Sequence, residues 1–348
     1  MTLETDANMI KSIFRDCSVD FLRTLGLCLV TIVHVNTLYS VSLLAYFGVP
    51  LMVFVSALCV KSSNTTFSRK NLGRRITRLL VPLWIFQTLY WIIFYKLETP
   101  SLYTMIQSYV LLAVTPYTWI IRVFLILACL SSLLLRLARR CKNIYMMIVI
   151  SIALQEILCY LYAHYSILHI PGLKIFIRDY VLYAIPYSLI FILAVFLKNV
   201  TRKRQIHIML FTGALLIVAT LCFLIISDDW KSSYWLYLYK FPPRYMYTLY
   251  GLFCVQLLYL FREYYAYIGQ FKLVRWISEN SFWIYFYHIP LINYFPFNIL
   301  NILSSEYAFV LRWMIVIIIA CICVALQNKI IDVLKIVVAN FRKNDYDQ

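Results

Sequence analysis

Apolar segments, each about 20 residues long, recur along almost the whole chain and constrain its fold more than any other feature. A helix of that length, rising about 1.5 Å per residue, spans the hydrocarbon core of a bilayer. About ten segments reach this length, and they lie at 21–40, 42–60, 79–97, 117–136, 144–163, 177–198, 207–227, 244–262, 277–299 and 308–328. The pattern predicts an all-α protein, a polytopic membrane bundle of about ten transmembrane helices.

The composition is that of a chain solvated mainly by lipid. Hydrophobic residues make up 63% of the 348 residues and charged residues 14%, whereas a soluble domain is about 25% charged. The first apolar segment has no small-residue cleavage site at its end, so we expect it to remain as the first span. None of the ten cysteines has a metal-ligand spacing, which predicts reduced cysteines and no metal.

The basic residues fall mainly on one side of the predicted membrane. The net charge is +17, and 23 of the 32 lysines and arginines lie in one set of alternate segments. These segments are 1–20, 61–78, 136–143, 198–206, 262–276 and 329–348. Because cytoplasmic loops are enriched in Lys and Arg, both termini are predicted to be cytoplasmic. A charge spread over loops on one membrane face also excludes nucleic acid as a partner.

The chain shows no internal repeat, low-complexity tract or soluble linker, so we predict one transmembrane domain over residues 1–348. A short cytoplasmic segment, 1–20, precedes the first span, and a tail, 329–348, follows the last. The short apolar stretch 102–114 is either an interfacial or re-entrant piece or the lead-in to the fourth span. Nothing in the sequence indicates an oligomeric state.

A polar strip at the start of the first span is the first candidate site, because ionisable groups inside a membrane are costly. Arg23 and His34 are eleven residues apart, which places them on one helix face about 16 Å apart along the axis. Asp20 lies one turn before Arg23, where the two side chains can pair. Imidazole exchanges protons near neutral pH and is suited to proton transfer. The alternative is a histidine that only hydrogen-bonds a neighbouring helix.

A basic cluster precedes the third span. It comprises Lys70, Arg74, Arg75 and Arg78, and Arg75 and Arg78 share a helix face at i and i+3. Guanidinium groups bind phosphate oxygens in pairs, so this face is a candidate site for a phosphate-rich donor from the cytoplasm. Ordinary anchoring of the span at the cytoplasmic surface is the alternative.

Several polar residues are weaker candidates. Gln155 and Glu156 form a polar pair in the fifth span, where Glu156 either lines a cavity or lies at a helix interface. The 29 tyrosines crowd the span ends, as interfacial belts do; aromatic walls for a sugar are the alternative. Residues 228–230 either contact a glycan or form an ordinary outer loop. Ser278, Asn280 and Ser281 are typical of a helix start and predict the cap of the ninth span.

Five segments resemble motifs of the acyltransferase 3 family, and they occur in the family's order across nearly the whole chain. Asp20-Phe-Leu-Arg through His34 (20–34) resembles its opening motif, an arginine followed after ten residues by histidine. YFGVPLMVFVSALCV (46–60) is similar to its second span, and RRITRLLVPLW (74–84) to its third-span Arg-x-x-Arg motif. KFPPRYMYTLYGL (240–252) resembles a proline-pair segment with a following tyrosine. WISENSFWIYFYHIPLI (276–292) resembles a late Ser-x-x-Ser-Phe segment that ends in His-x-Pro.

The resemblance implies a membrane-embedded O-acyltransferase, usually an O-acetyltransferase, that uses cytoplasmic acyl-CoA. His34 matches the catalytic histidine, and Arg23 matches its motif partner, beside Asp20. Arg75 and Arg78 match arginines that hold the CoA phosphates. Arg74 adjoins them and is assigned to the same donor site.

Three further positions follow from the resemblance. His288 matches a recurrent family histidine. Ser56 lies in the second-span motif, where Ala57 replaces the usual glycine. Trp119 is kept in the segment 117–124, which lacks the acidic residue that many members carry downstream. We assign His288, Ser56 and Trp119, together with Glu156, to the substrate cavity.

The implied substrates are acetyl-CoA as donor and a cell-surface or lipid-linked polysaccharide, such as O-antigen or capsule, as acceptor. The implied location is the inner membrane of a bacterium, as a multi-pass protein. His34 would act as a general base, or form a covalent acyl-histidine. A transporter or flippase for a lipid-linked glycan is the alternative function, although the sequence lacks the inverted repeat that such proteins often carry.

Overall fold

A computed structural model describes residues 16–35, 39–60, 69–98, 101–112, 118–165, 170, 172–227, 235–297 and 305–344. All regular structure in these ranges is helical, which confirms the predicted all-α class. The candidates at 228–230 lie outside the described residues. The stretch 102–114 begins with a short separate helix, Leu102–Tyr109, so its apolar residues do not extend the fourth span as one continuous helix.

The helices are numbered here in chain order. They are α1 (Cys17–His34), α2 (Tyr39–Ala45), α3 (Gly48–Leu58), α4 (Arg69–Glu98), α5 (Leu102–Tyr109), α6 (Trp119–Arg140), α7 (Ile144–His164), α8 (Leu173–Phe176), α9 (Leu182–Leu197), α10 (Arg202–Ser227), α11 (Trp235–Leu238), α12 (Tyr245–Leu260), α13 (Arg262–Tyr265), α14 (Lys272–Tyr294) and α15 (Ser305–Asn344). A π-helical turn, Ile177–Val181, joins α8 to α9, and a 3-10 turn, Ile268–Gln270, precedes α14.

Eight helical stretches among the described residues are long and apolar enough to cross a membrane. They are Cys17–His34, Val41–Leu58, Leu72–Phe94, Trp119–Arg140, Ile144–His164, Leu173–Leu197, Arg202–Ile226 and Glu306–Val337. The predicted spans 244–262 and 277–299 coincide with α12, an apolar helix of 16 residues, and with α14, which has 23 residues. The polytopic helical bundle is therefore confirmed, whereas the count of ten spans and the side of the termini remain predictions.

The first helix begins at Cys17, four residues before the predicted span, because a side chain caps it. The Asp16 carboxylate accepts hydrogen bonds from the backbone N–H of Ser18 at 3.0 Å and from its hydroxyl at 2.6 Å, which satisfies a donor that the helix start leaves open. Asp20 consequently lies within the helix, and its side chain is buried against the protein at 2% exposure.

Two glycines bring α1 and α3 into close contact. A Cβ placed on Gly48 would lie 2.9 Å from the Leu29 Cβ and 3.0 Å from the Val30 backbone nitrogen. A Cβ placed on Gly26 would lie 2.9 Å from the Met52 Cγ. Small residues allow such an approach between membrane helices, and here they fix α3, which carries Ser56, beside the polar strip of α1.

The interior of the bundle is formed by α9 and its neighbours. Nearly every side chain of α9 is buried, and the helix packs against α3, α6 and α7. The long helix α14 packs between α1 and α15. In contrast, α10 and α15 carry many exposed apolar side chains, as expected of helices that face lipid. The helices α1, α3, α4, α6, α9 and α14 therefore surround the space around which most of the predicted site residues lie.

Candidate active site

The helices α1 and α14 run side by side in the same direction. Thr24 donates to the Val274 carbonyl at 3.0 Å at one end of the contact. His34 and His288 meet at the other end, with Nδ1 of His34 2.9 Å from Nε2 of His288. The two imidazole rings are nearly parallel, at an interplanar angle of 11°. Two predicted site residues from opposite ends of the sequence therefore form one hydrogen-bonded pair.

The backbone of α14 fixes the tautomer of this pair. The Nδ1 of His288 contacts the Tyr285 carbonyl oxygen, which can only accept, so that nitrogen carries a hydrogen. The Nε2 of neutral His288 is then an acceptor, and Nδ1 of His34 donates to it. The lone pair of neutral His34 consequently lies on its Nε2, the nitrogen that can take up a proton.

The N-terminal end of the same face joins Asp20 and Arg23 through a serine. The Ser278 hydroxyl donates to the Asp20 carboxylate at 2.6 Å, and the Arg23 guanidinium approaches the same hydroxyl oxygen at 3.4 Å. Arg23 also contacts the Cys59 sulfur at 3.0 Å. The prediction that Ser278 caps a span is wrong: α14 begins at Lys272, six residues earlier, so Ser278 lies within the helix and serves the polar strip.

A row of three cavities, which adjoin one another through shared lining residues, lies beside this polar strip. The largest, about 760 Å³, is lined by charged groups that include Asp20, Arg23, Lys198 and Glu279. Arg23 also lines the second cavity, of about 160 Å³, which extends to Tyr285. The Lys198 amine donates to the Leu58 carbonyl oxygen, and burial lowers the pKa of this lysine. The row thus connects charged groups at the mouth to the helical turn that holds His288.

The third cavity, of about 240 Å³, brings the predicted arginines into the same region. Arg75 and Arg78 line it, and the Arg75 guanidinium donates to the Ser131 hydroxyl on α6. Ser56 lines both this cavity and the second one, because its side chain lies between them. Arg74 is exposed and is absent from the lining of these three cavities.

Trp119 and Glu156 lie elsewhere, Trp119 at the start of α6 and Glu156 in the second half of α7. The Trp119 ring contacts those of Tyr183 and Phe241, with centroid distances of 5.9 and 5.6 Å. The Glu156 carboxylate pairs with the Arg244 guanidinium at 2.5 Å and accepts from the Tyr245 backbone N–H at 2.9 Å. Glu156 therefore holds the turn before α12 and is absent from the lining of the three cavities.

The place of three residues in this region was not predicted from the sequence. Ser281 and Tyr285 line the second cavity, and with Ser278 and His288 they repeat at intervals of three, four and three residues. This spacing places the four side chains on one helix face, so the sequence could have predicted that they lie together. Lys240 is buried in the turn before α12, and burial lowers its pKa to about 8. No pattern in the sequence distinguished Lys240 from an ordinary lysine in an outer loop.

Residues 18–326 match the family model described as an acyltransferase domain, that of the acyltransferase 3 family. No curated protein and no solved structure gave a match. The match covers most of the chain and includes both histidines, the polar strip and the arginine cluster. The chain therefore belongs to the acyltransferase 3 family, and it is a multi-pass membrane acyltransferase.

Proposed function

We propose that this protein transfers an acetyl group from cytoplasmic acetyl-CoA to a hydroxyl of a cell-surface or lipid-linked polysaccharide, with His34 as the general base. The observation that supports this most directly is the His34–His288 hydrogen bond of 2.9 Å beside Tyr285, which lines the second cavity and whose ring centroid lies 4.8 Å from that of His288. A base needs a defined tautomer and a space in which the reacting atoms can lie. His288 supplies the defined tautomer, and the cavity supplies the space.

The proposed transfer uses one proton twice. Nε2 of His34 takes the proton of the acceptor hydroxyl while the hydroxyl oxygen attacks the thioester carbonyl carbon. A C–O bond forms, the C–S bond breaks, and His34 returns the proton to the leaving thiolate, so that the products are an acetyl ester and free CoA. During this step the imidazolium donates from Nδ1 to His288, which holds the ring in place as the carboxylate of a catalytic triad does.

The donor is proposed to enter from the cytoplasmic side. Its phosphates would bind Arg75 and Arg78, whose cavity adjoins the second one at Ser56. Its pantetheine arm would pass Arg23, which lies about 16 Å from His34 along α1. The volume of the second cavity, about 160 Å³, favours a short acyl group such as acetyl. The acceptor would approach from the opposite side, and the protein would reside in the inner membrane of a bacterium.

The first test is His34→Ala. We expect the acetyl content of the surface polysaccharide to fall to the background of cells without the protein, because loss of a general base slows transfer by about 100- to 10,000-fold. Mass spectrometry of the polysaccharide measures this, and immunoblotting shows whether the variant accumulates in the membrane. His164→Ala is the matched control, since His164 is exposed and contacts only its own helix among the described residues. Normal acetylation in accumulated His34→Ala protein would refute the assignment.

The second test is Arg75→Ala together with Arg78→Ala. Each charge-assisted contact to phosphate contributes about 1.5–3 kcal/mol, so we expect KM for acetyl-CoA to rise at least tenfold with a smaller change in kcat. Purified protein in lipid nanodiscs allows both constants to be measured. Arg74→Ala is the control, because Arg74 is on the same helix but exposed and outside the cavity lining. An unchanged KM in the double variant would remove the phosphate site from the proposal.

A further inference from the structure

A buried lysine lies in the turn that precedes α12. Lys240 is 7% exposed, and its ammonium lies 4.4 Å from the ring centroid of Tyr46 and 4.9 Å from that of Phe241. Within the part of the chain that the structure describes, Lys240 forms no ion pair with a carboxylate. Aromatic faces stabilise a cation only partly, so the charge of Lys240 is incompletely compensated.

The turn that carries Lys240 is held firmly from α7. The Gln155 amide donates to the Pro243 carbonyl at 2.8 Å and to the Leu182 carbonyl at 2.9 Å. Glu156 is engaged by Arg244 in the same turn. These contacts fix the position of Lys240, and they pair the nearby Glu156 carboxylate with Arg244 instead of Lys240. A buried cation that is fixed without a counter-ion is costly, and a bound anion would offset that cost.

The surroundings of Lys240 match a saccharide. Phe241 contacts Trp119, and its ring also lies 6.2 Å from that of Tyr237, so aromatic faces flank the ammonium. Tyr46 lies two residues before Gly48, which packs against Val30 one turn before His34, so this cluster lies near the His34 end of α1. Aromatic rings pack against the apolar faces of sugars, whereas an ammonium requires a negative partner.

The charge balance favours a group with one negative charge. Arg244 pairs with Glu156, whereas Arg122, at the start of α6, shares the Asp179 carboxylate, at 3.1 Å, with the half-exposed Arg178. Of the two cations in the turn before α12, Lys240 is therefore the one that has no carboxylate partner among the described residues. A carboxylate pairs with this one ammonium, whereas a phosphate dianion would bring a second negative charge that has no partner in the turn.

We propose that Lys240 and the aromatic rings around it form an acceptor subsite for a sugar that carries a carboxylate. This inference rests on the proposed function, since transfer to a saccharide is what gives the subsite an acceptor. It narrows the acceptor class from polysaccharides in general to those that contain an acidic sugar of the uronic or sialic acid type.

Binding without the donor tests the subsite. The full-length protein in lipid nanodiscs is mixed with methyl glucuronide, methyl sialoside, methyl glucoside or glucose 6-phosphate, and affinity is measured by saturation-transfer NMR. We expect at least one carboxylate sugar to bind about tenfold more tightly than the glucoside, because a charge-assisted pair forms in a largely buried site. Lys240→Gln should abolish this preference, and Lys240→Arg should retain it. Lys174→Gln, an exposed lysine on the same predicted membrane face, should leave it unchanged.

A second measurement needs no variant. A carbodiimide couples a bound carboxylate to the amine that contacts it, and peptide mapping should find the sugar adduct on Lys240. The proposal would be overturned by any of four results. In the binding assay these are equal affinity for acidic and neutral sugars, a preference for acidic sugars that survives in folded Lys240→Gln, or tighter binding of glucose 6-phosphate than of the carboxylate sugars. In the coupling experiment it is an adduct confined to other lysines. These two experiments measure sugar binding and not acetyl transfer. A finding that His34 is not the base would therefore leave the sugar-binding result unaffected. Conversely, the absence of a preference for acidic sugars would leave the proposed acetyl transfer unaffected.

Discussion

At the scale of single residues, the two histidines differ in what surrounds them. His288 is completely buried and its Nδ1 is committed to the Tyr285 carbonyl. His34 is partly exposed and receives its orientation from His288. A neutral imidazole has one donor and one acceptor nitrogen, so a second imidazole can do what a carboxylate does elsewhere, which is to fix the tautomer. His288 is thus a positioning residue for His34.

This role predicts the effect of changing His288. His288→Phe keeps the ring volume but removes the acceptor for His34 Nδ1, so we expect kcat to fall by about 100-fold while KM for acetyl-CoA stays within about twofold. Purified enzyme with measured acetyl-CoA turnover gives both constants. His288→Gln retains an acceptor oxygen at similar reach and should recover part of the rate. A His288→Gln variant as slow as His288→Phe, with both folded, would show that the hydrogen bond does not carry the effect.

At the scale of helices, a proline leaves a backbone carbonyl without its helical hydrogen-bond donor, and a side chain from another helix supplies that donor. Pro186 lies inside α9 and has no N–H, so the Leu182 carbonyl, four residues earlier, lacks its helical donor. The Gln155 amide from α7 donates to that carbonyl at 2.9 Å and also to the Pro243 carbonyl. Carbonyl groups inside a membrane protein need such partners. Gln155 therefore joins α7, α9 and the turn that carries Lys240.

Removing this side chain should loosen the three elements together. Gln155→Leu keeps an apolar side chain of similar size but leaves two buried carbonyls without that donor, which costs about 1–3 kcal/mol. We expect a lower midpoint of thermal unfolding in lipid-containing micelles. Gln270→Leu is the matched control, because Gln270 is exposed and surface changes usually cost less than about 0.5 kcal/mol. Equal midpoints for the two variants would contradict the argument.

The same scale shows what the sequence could and could not predict. Helices occur at all ten predicted spans, because bilayer thickness sets the length of each apolar segment. The contact between His34 and His288 was not predictable, since 254 residues separate them and only the packing of α1 on α14 joins them. Lys240 escaped notice for a related reason: its burial depends on Tyr46, which comes from a distant part of the chain.

At the scale of the whole molecule, the cavities and the basic residues define one direction. Arg75 and Arg78 line the third cavity, in the segment that the charge count assigns to the cytoplasm. Lys240 and Trp119 lie in segments assigned to the other side. In this predicted orientation, donor and acceptor approach His34 from opposite faces of the membrane. Neither molecule then has to cross the entire membrane. The proposed reaction therefore depends on the predicted topology, which reporter fusions can test directly.

Fusions at two loops and at the C-terminus decide the orientation. Four basic residues lie in 136–143, at the end of α6 and in the short loop before α7, and basic segments are retained in the cytoplasm. We therefore expect a green fluorescent protein fused after Lys142 or after Gln348 to fluoresce, since it folds in the cytoplasm. Alkaline phosphatase, which needs an oxidising compartment for its disulfides, should be active when fused after Gly172 and inactive after Lys142. Phosphatase activity after Lys142 would invert the membrane orientation and place the arginine cluster on the side away from cytoplasmic acetyl-CoA, which would refute the proposed donor route.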